Sequence, residues 1–301
     1  MPSNVMASAL ETIEGTRARV EARLQALYPS GEGGRGLTEA MSYSLLAGGK
    51  RLRPVLTVLT ARTLGADPAI AVDPACAVEM VHTASLILDD LPCMDDALLR
   101  RGRPANHRVF GEDVANLAAV SLLSEAFGVL SRAPGLGAGV RCQLVELLAD
   151  TIGAGGLADG QVSDLASAAS DRDSLERMEA QKTGALFVTA ARIGARIAGA
   201  APAEQHAVAR YAMHAGLAFQ ICDDLLDTYG DGATLGKDLA QDGGKPTFAS
   251  VMNRGAAERL ALEHYRMARK AAAALPGEPG TLTGFLEMMM DNYRQRSQET
   301  P

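Results

Sequence analysis

Paired cysteines, zinc-type spacings, membrane-length apolar runs and an excess of basic charge are all missing from this chain of 301 residues. Its four cysteines (Cys76, Cys93, Cys142, Cys222) are scattered with no C-x-x-C among them, which excludes a dithiol or zinc site and predicts separate reduced thiols in a cytoplasmic protein. No uninterrupted apolar stretch reaches the ~18 residues of a membrane span, so no integral membrane segment is expected. The N-terminal stretch carries acidic residues and reads as an amphipathic helix rather than a signal peptide. A net charge of −7 argues against nucleic acid or an anionic membrane surface as the main partner. Alternating apolar and polar residues are scarce, and there is no internal repeat or low-complexity linker. What is present is alanine and leucine at helical spacing, with a hydrophobic content of 47% that supports a substantial core. The expectation is an all-α protein, a single domain over residues 1–301.

One stretch organises the rest. Residues 88–104 read LDDLPCMDDALLRRGRP, with Asp89, Asp90, Asp95 and Asp96 followed at once by Arg100, Arg101 and Arg103. They follow an apolar segment, about 70–90, that reads as a buried helix. Carboxylates delivered to one place repel one another unless cations are present, and hard cations such as Mg²⁺ prefer carboxylate oxygens and often share them with substrate phosphates. The guanidinium forks that follow match phosphate oxygens. A solvated acidic turn at a helix end is the plain alternative; the blocks of acid and base beside an apolar run favour a site. At about 100° per residue, His82 shares the stripe of Asp89. Pro92 should break the helix near Leu91.

Other motifs lie along the chain. GGKRLRP (48–54) places Lys50, Arg51 and Arg53 at a glycine turn before a helix N-terminus, where backbone N–H groups also favour anions. Glycine-rich 153–164 reads as a bend or cap, and Gln161 and Asp164 remain candidates there. A long helix is expected over 171–198; its Lys182 either snorkels to the surface or points into a polar pocket. In the next helix, about 204–228, Gln220, Asp223, Asp224 and Asp227 form one stripe in an otherwise apolar surface, and buried carboxylates need cations. Lys237 and Lys245 follow in a glycine-rich segment suited to a lid over phosphates, though surface lysines are the ordinary case.

Together and in this order, the two aspartate motifs, GGKRLRP, the Lys-Thr-Gly at 182–184 and the Leu-Gly-Lys-Asp at 235–238 resemble the trans-prenyl diphosphate synthases over about residues 37–248. The first motif has the longer form, Asp89-Asp90 to Asp95; the second is Asp223-Asp224 to Asp227. The resemblance implies a bundle of mostly antiparallel helices around a central cavity, generally a homodimer. It further implies three Mg²⁺ ions, two held by Asp89 and Asp95 and one by Asp223. Arg100, Lys182, Thr183, Gln220 and Lys237 match positions that contact the allylic diphosphate. Lys50, Arg53, His82 and Arg101 match the isopentenyl diphosphate site. Lys245 matches a further phosphate contact, although the segment before it is shorter than in some relatives. The implied catalytic set is Asp89, Asp95, Arg100, Lys182, Asp223 and Lys237, acting on dimethylallyl, geranyl or farnesyl diphosphate.

Product length is expected to depend on Ser85 and Ala84, four and five residues before Asp89. Both are small where relatives that stop at farnesyl diphosphate commonly carry an aromatic ring, and residues 82–104 look like geranylgeranyl diphosphate synthases of bacterial carotenoid pathways. A farnesyl product is the alternative. Terpene cyclases share the scaffold and one aspartate motif but bind a single diphosphate; GGKRLRP and Arg100-Arg101 favour two. A non-catalytic subunit of a heteromeric synthase could dispense with metal ligands, yet both motifs are complete.

Overall fold

The computed structural model describes residues 4–29, 36–166, 171–229 and 246–298. Lys237 and Lys245 lie outside the described residues. The elements are helices α1 (Asn4–Leu27), α2 (Leu37–Leu45), α3 (Leu52–Thr63), α4 (Val72–Asp89), α5 (Asn106–Phe110), α6 (Glu112–Arg132), α7 (Ala138–Ile152), α8 (Leu157–Leu165), α9 (Arg172–Glu179), α10 (Ala185–Ile197) and α11 (Pro202–Tyr229). Beyond these come α12 (Phe248–Val251), α13 (Arg254–Ala272) and α14 (Gly280–Gln298). The fold is all-α, as its sequence predicts.

Helix α4 is the inner member of the bundle. Every residue from Pro74 to Val81 is buried, charged Glu79 included, so the helix is covered on all sides rather than amphipathic. It packs against α6, α3 and α1, while α10 packs on α3 and α11, and α11 on α13. Small residues permit this. A Cβ on Gly194 of α10 would stand 2.4 Å from the carbonyl oxygen of Thr57 in α3, so only glycine allows that approach.

Helix α4 stops at Asp89, where Pro92 forbids its continuation. The chain folds back there, the Asp95 N–H donating to the Asp89 carbonyl at 2.9 Å. It then makes a hairpin absent from the sequence reading, strands β1 (Leu99–Arg100) and β2 (Arg103–Pro104), paired Arg100 to Arg103. Its central residues Arg101 and Gly102 both have positive φ, 55° and 72°, the backbone that two-residue hairpin turns need.

Two further differences matter for the site. Residues 153–164 hold more than a bend, since α8 forms from Leu157. The helix expected over 171–198 is continuous but opens into a π turn at Ala180–Gly184, between α9 and α10. Asp171 caps its start reciprocally with Ser174.

Candidate active site

The two acidic motifs, far apart in sequence, face one cavity of about 500 Å³. The end of α4 and its return loop contribute Asp89 and Asp95, and α11 contributes Asp223 and Asp227. The same cavity is lined by Lys50 and Arg53 before and within α3, by His82 and Ser85 of α4, by Arg100 and Arg101 of the hairpin, and by Lys182, Thr183 and Gln220. The described residues that the resemblance matched to metal or diphosphate all line this cavity, whereas Asp90, Asp96, Arg103 and Asp224, also noted in the sequence, do not. Nor does Ala84, which is fully buried in the helix packing beside Ser85.

The acids divide by environment. Burial pushes the Asp89 carboxyl up to about 6, with Lys182 opposing and Asp95 adding to the shift. Asp90, on the other side of α4's end, is 2% exposed and held by Arg100, whose Nε donates to Oδ1 at 2.9 Å. Asp224 leaves the stripe seen in sequence. It accepts the backbone N–H of Phe248 and the side-chain amide of Gln220, at 2.9 and 2.8 Å, tying α11 to the start of α12. Burial carries its carboxyl up to about 7, against the effect of the Phe248 bond.

The basic end is equally differentiated. Arg53 Nη1 lies 3.1 Å from His82 Nε2. Burial, and next the charge of Arg53, hold the His82 imidazole well below its usual range. A neutral ring can accept at Nε2 from Arg53, which fixes the imidazole for a ligand. Burial also lowers Arg53, to about 10, while its guanidinium lies 4.8 Å from the Phe187 ring centre and Lys50 Nζ lies 5.1 Å from that of Phe219. Arg101 donates to the Gly48 carbonyl and lies so close to Gly49 (φ 129°) that a Cβ there would stand 2.9 Å from its Cζ.

Arg51 differs from its neighbours in GGKRLRP. Its side chain is wholly buried, donating to Glu79 at 2.5 Å, to Glu21 at 2.7 Å and to the Leu45 carbonyl at 2.7 Å. Glu79 also approaches Arg101, at 3.9 Å, and lines the cavity. Sequence reasoning missed it, although a lone acid in a buried helix, three residues before His82, was the signal.

The donor set suits a hard cation. All four aspartates offer oxygen only, yet among the described residues no three His, Cys, Asp or Glu side chains form a closed metal group. Carboxylates split between two walls, with a desolvated Asp89 among them, fit ions such as Mg²⁺ that complete their shell with water and substrate phosphate.

The family model for polyprenyl synthetase matches residues 35–274. The chain belongs to the polyprenyl synthetase family. Among family members it is 42% identical over 286 residues to the geranylgeranyl diphosphate synthase of Pantoea ananas, covering 93% of each chain. It is 41% identical over 269 residues to the farnesyl diphosphate synthase of Geobacillus stearothermophilus, covering 85% of this chain and 91% of that one. Of solved polyprenyl synthetase structures, an FPP/GFPP synthase from Zymomonas mobilis superposes with TM-score 0.82 at 32% identity, over 94% of this chain and 99% of that one. A geranyltransferase from Helicobacter pylori, complexed with magnesium and isoprenyl diphosphate, gives 0.83 at 25% identity over 98% and 99%.

Proposed function

We propose that this polyprenyl synthetase is a geranylgeranyl diphosphate synthase, condensing isopentenyl diphosphate head-to-tail with allylic diphosphates. The single observation that carries this reading is the double character of the cavity. One cavity gathers the acids with Arg100, Lys182, Thr183 and Gln220, which this reading assigns to the allylic diphosphate, together with Lys50, Arg53, His82 and Arg101, which it assigns to isopentenyl diphosphate. A terpene cyclase has no use for the second site, and a non-catalytic subunit none for two complete acidic walls.

In this reading Asp89, Asp95 and Asp223 hold three Mg²⁺ ions, which supply positive charge to the leaving diphosphate. Arg100 and Lys182 hold that diphosphate with fixed cations as the allylic C–O bond breaks and the electron pair leaves with oxygen. Arg53, His82 and Arg101 orient isopentenyl diphosphate so that its C=C pair forms the new C–C bond. A proton then leaves the adjacent carbon for the departing diphosphate. Apolar walls such as Leu186 and Phe219 keep water from the cation. Lys237 and Lys245 belong to the same scheme as diphosphate contacts.

The chain is read as one domain and as a homodimer. Pro68–Asp89 and Glu112–Arg132 have the length and apolar character of a membrane span. The first is the bundle's inner helix. The second, α6, packs on α4 and turns Leu117 and Val120, 58% and 60% exposed, outward, a face that a second copy would cover; sedimentation as a monomer at micromolar concentration would refute this. The activity test is incubation with Mg²⁺, labelled isopentenyl diphosphate and each of dimethylallyl, geranyl and farnesyl diphosphate, followed by product chromatography. The expected end product has four isoprene units. Termination at farnesyl diphosphate would reassign the product, a hydrocarbon formed without isopentenyl diphosphate would indicate a cyclase, and no turnover would leave a binding subunit.

A further inference from the structure

The cavity has a backstop in α8. Gly160 of that helix meets the π turn so closely that a Cβ would stand 2.9 Å from the backbone nitrogen of Lys182. Four residues on, and so on the same face, Asp164 accepts from Lys182 Nζ at 2.6 Å. The Asp164 side chain is 6% exposed and that of Lys182 is 26% exposed, so the acid lies behind and the ammonium in front, where it lines the cavity with Asp89. Gln161, between them in sequence, also lines the cavity, and its Nε2 is buried with no hydrogen-bond partner.

We propose that Asp164 is a positioning residue for the allylic diphosphate site, acting through Lys182. A lysine on a flexible four-carbon stem, facing a wall of aspartates, is drawn toward them. A buried carboxylate behind it fixes where the ammonium stands, at the edge of the cavity where a phosphate would bind. The π turn and Gly160 supply the backbone half of the same arrangement. They bring Lys182 within reach of Asp164 without turning it from the cavity.

The inference rests on the prenyl-transfer reading, and the test separates the two. Steady-state kinetics are measured for wild type, Asp164→Asn, Lys182→Ala and the double variant, each substrate varied in turn. Asp164→Asn should raise the KM for farnesyl diphosphate on the order of tenfold and leave that for isopentenyl diphosphate within about twofold. In the Lys182→Ala background, the same change should alter kcat/KM by less than about twofold, because the partner it acts through is gone. An active wild type with Asp164→Asn at wild-type KM, or with the two effects multiplying independently, overturns the inference alone. A wild type that incorporates no isopentenyl diphosphate overturns the reading and the inference with it. Asp164→Ser serves if Asp164→Asn does not fold; should neither fold, Asp164 is a stability residue and the proposal is wrong.

Discussion

Replacing Glu79 by alanine removes the acid between Arg51 and Arg101. Both members of the Arg51–Glu79 pair are almost wholly buried, and breaking a buried pair costs about 3–5 kcal/mol when the remaining charge has no partner. Arg51 keeps two others, Glu21 at 2.7 Å and the Leu45 carbonyl at 2.7 Å, so the loss should lie near the bottom of that range, about 3 kcal/mol. Glu79→Gln retains an oxygen acceptor and loses only the charge; a hydrogen bond to a charged group is worth about 1.5–3 kcal/mol, and part of that remains. Urea unfolding monitored by circular dichroism reads both, and an unchanged m-value shows that midpoints report stability. The KM for isopentenyl diphosphate should also rise, because Arg101 loses the acid 3.9 Å away, while the allylic KM stays near wild type. A Glu79→Ala protein within about 1 kcal/mol of wild type would refute the reasoning.

Three further outcomes are expected. Asp224→Ala leaves the Phe248 N–H without the acceptor it has at 2.9 Å in a buried position, and should cost about 1–3 kcal/mol by urea midpoint; Asp224→Asn, which keeps an oxygen, should cost less, and equal losses would count against the bond. With Asp89 raised to about 6, the metal-free folded state retains a proton that the unfolded chain releases. This contribution to stability is therefore full below about pH 4 and is lost as pH rises through about 6. Mg²⁺ needs the ionised form, so its apparent affinity by calorimetry should fall about tenfold per pH unit below about 6; a midpoint constant from pH 5 to 7 would be inconsistent. Ser85→Phe, which places a ring directly in the cavity, should shorten the main product to farnesyl diphosphate. Ala84→Phe should do so only with overpacking of about 1–3 kcal/mol, and four-unit products from both variants would place the floor elsewhere.

The motifs were legible because they violate local expectation. Acids at the end of a buried helix, acids on an apolar helix and cations at a glycine turn each stand out against their surroundings. Spacing gave the break at Pro92 and the shared face of His82 and Asp89, since both follow from helix geometry alone. What stayed hidden depends on partners from other elements. Arg51 and Arg53 look alike in GGKRLRP; one is folded inward to Glu79 and Glu21, the other reaches His82. Asp223 and Asp224 are adjacent, and only the docking of Phe248 separates a cavity acid from a bonded one. Helix α8 was obscured by the four glycines at 153–160, two of which, Gly156 and Gly160, leave no room for a Cβ.

The π turn at Ala180–Gly184 puts α9 and α10 out of phase. Each added residue rotates what precedes it by about 100° and advances it about 1.5 Å, so the wide turn amounts to an insertion absorbed without breaking the rod. Leu175 and Met178 of α9 are buried in the rotated setting, and Lys182 and Thr183 meet the cavity only within it. Deleting any single residue from 180–184 would return the rod to uniform α pitch. It would then have to choose between seating its first two turns and aiming its lysine. Deletion of Ala180 or of Gln181, which keeps Lys182 and Thr183 in the chain, should therefore give one shared phenotype, a higher allylic KM with a loosened α9.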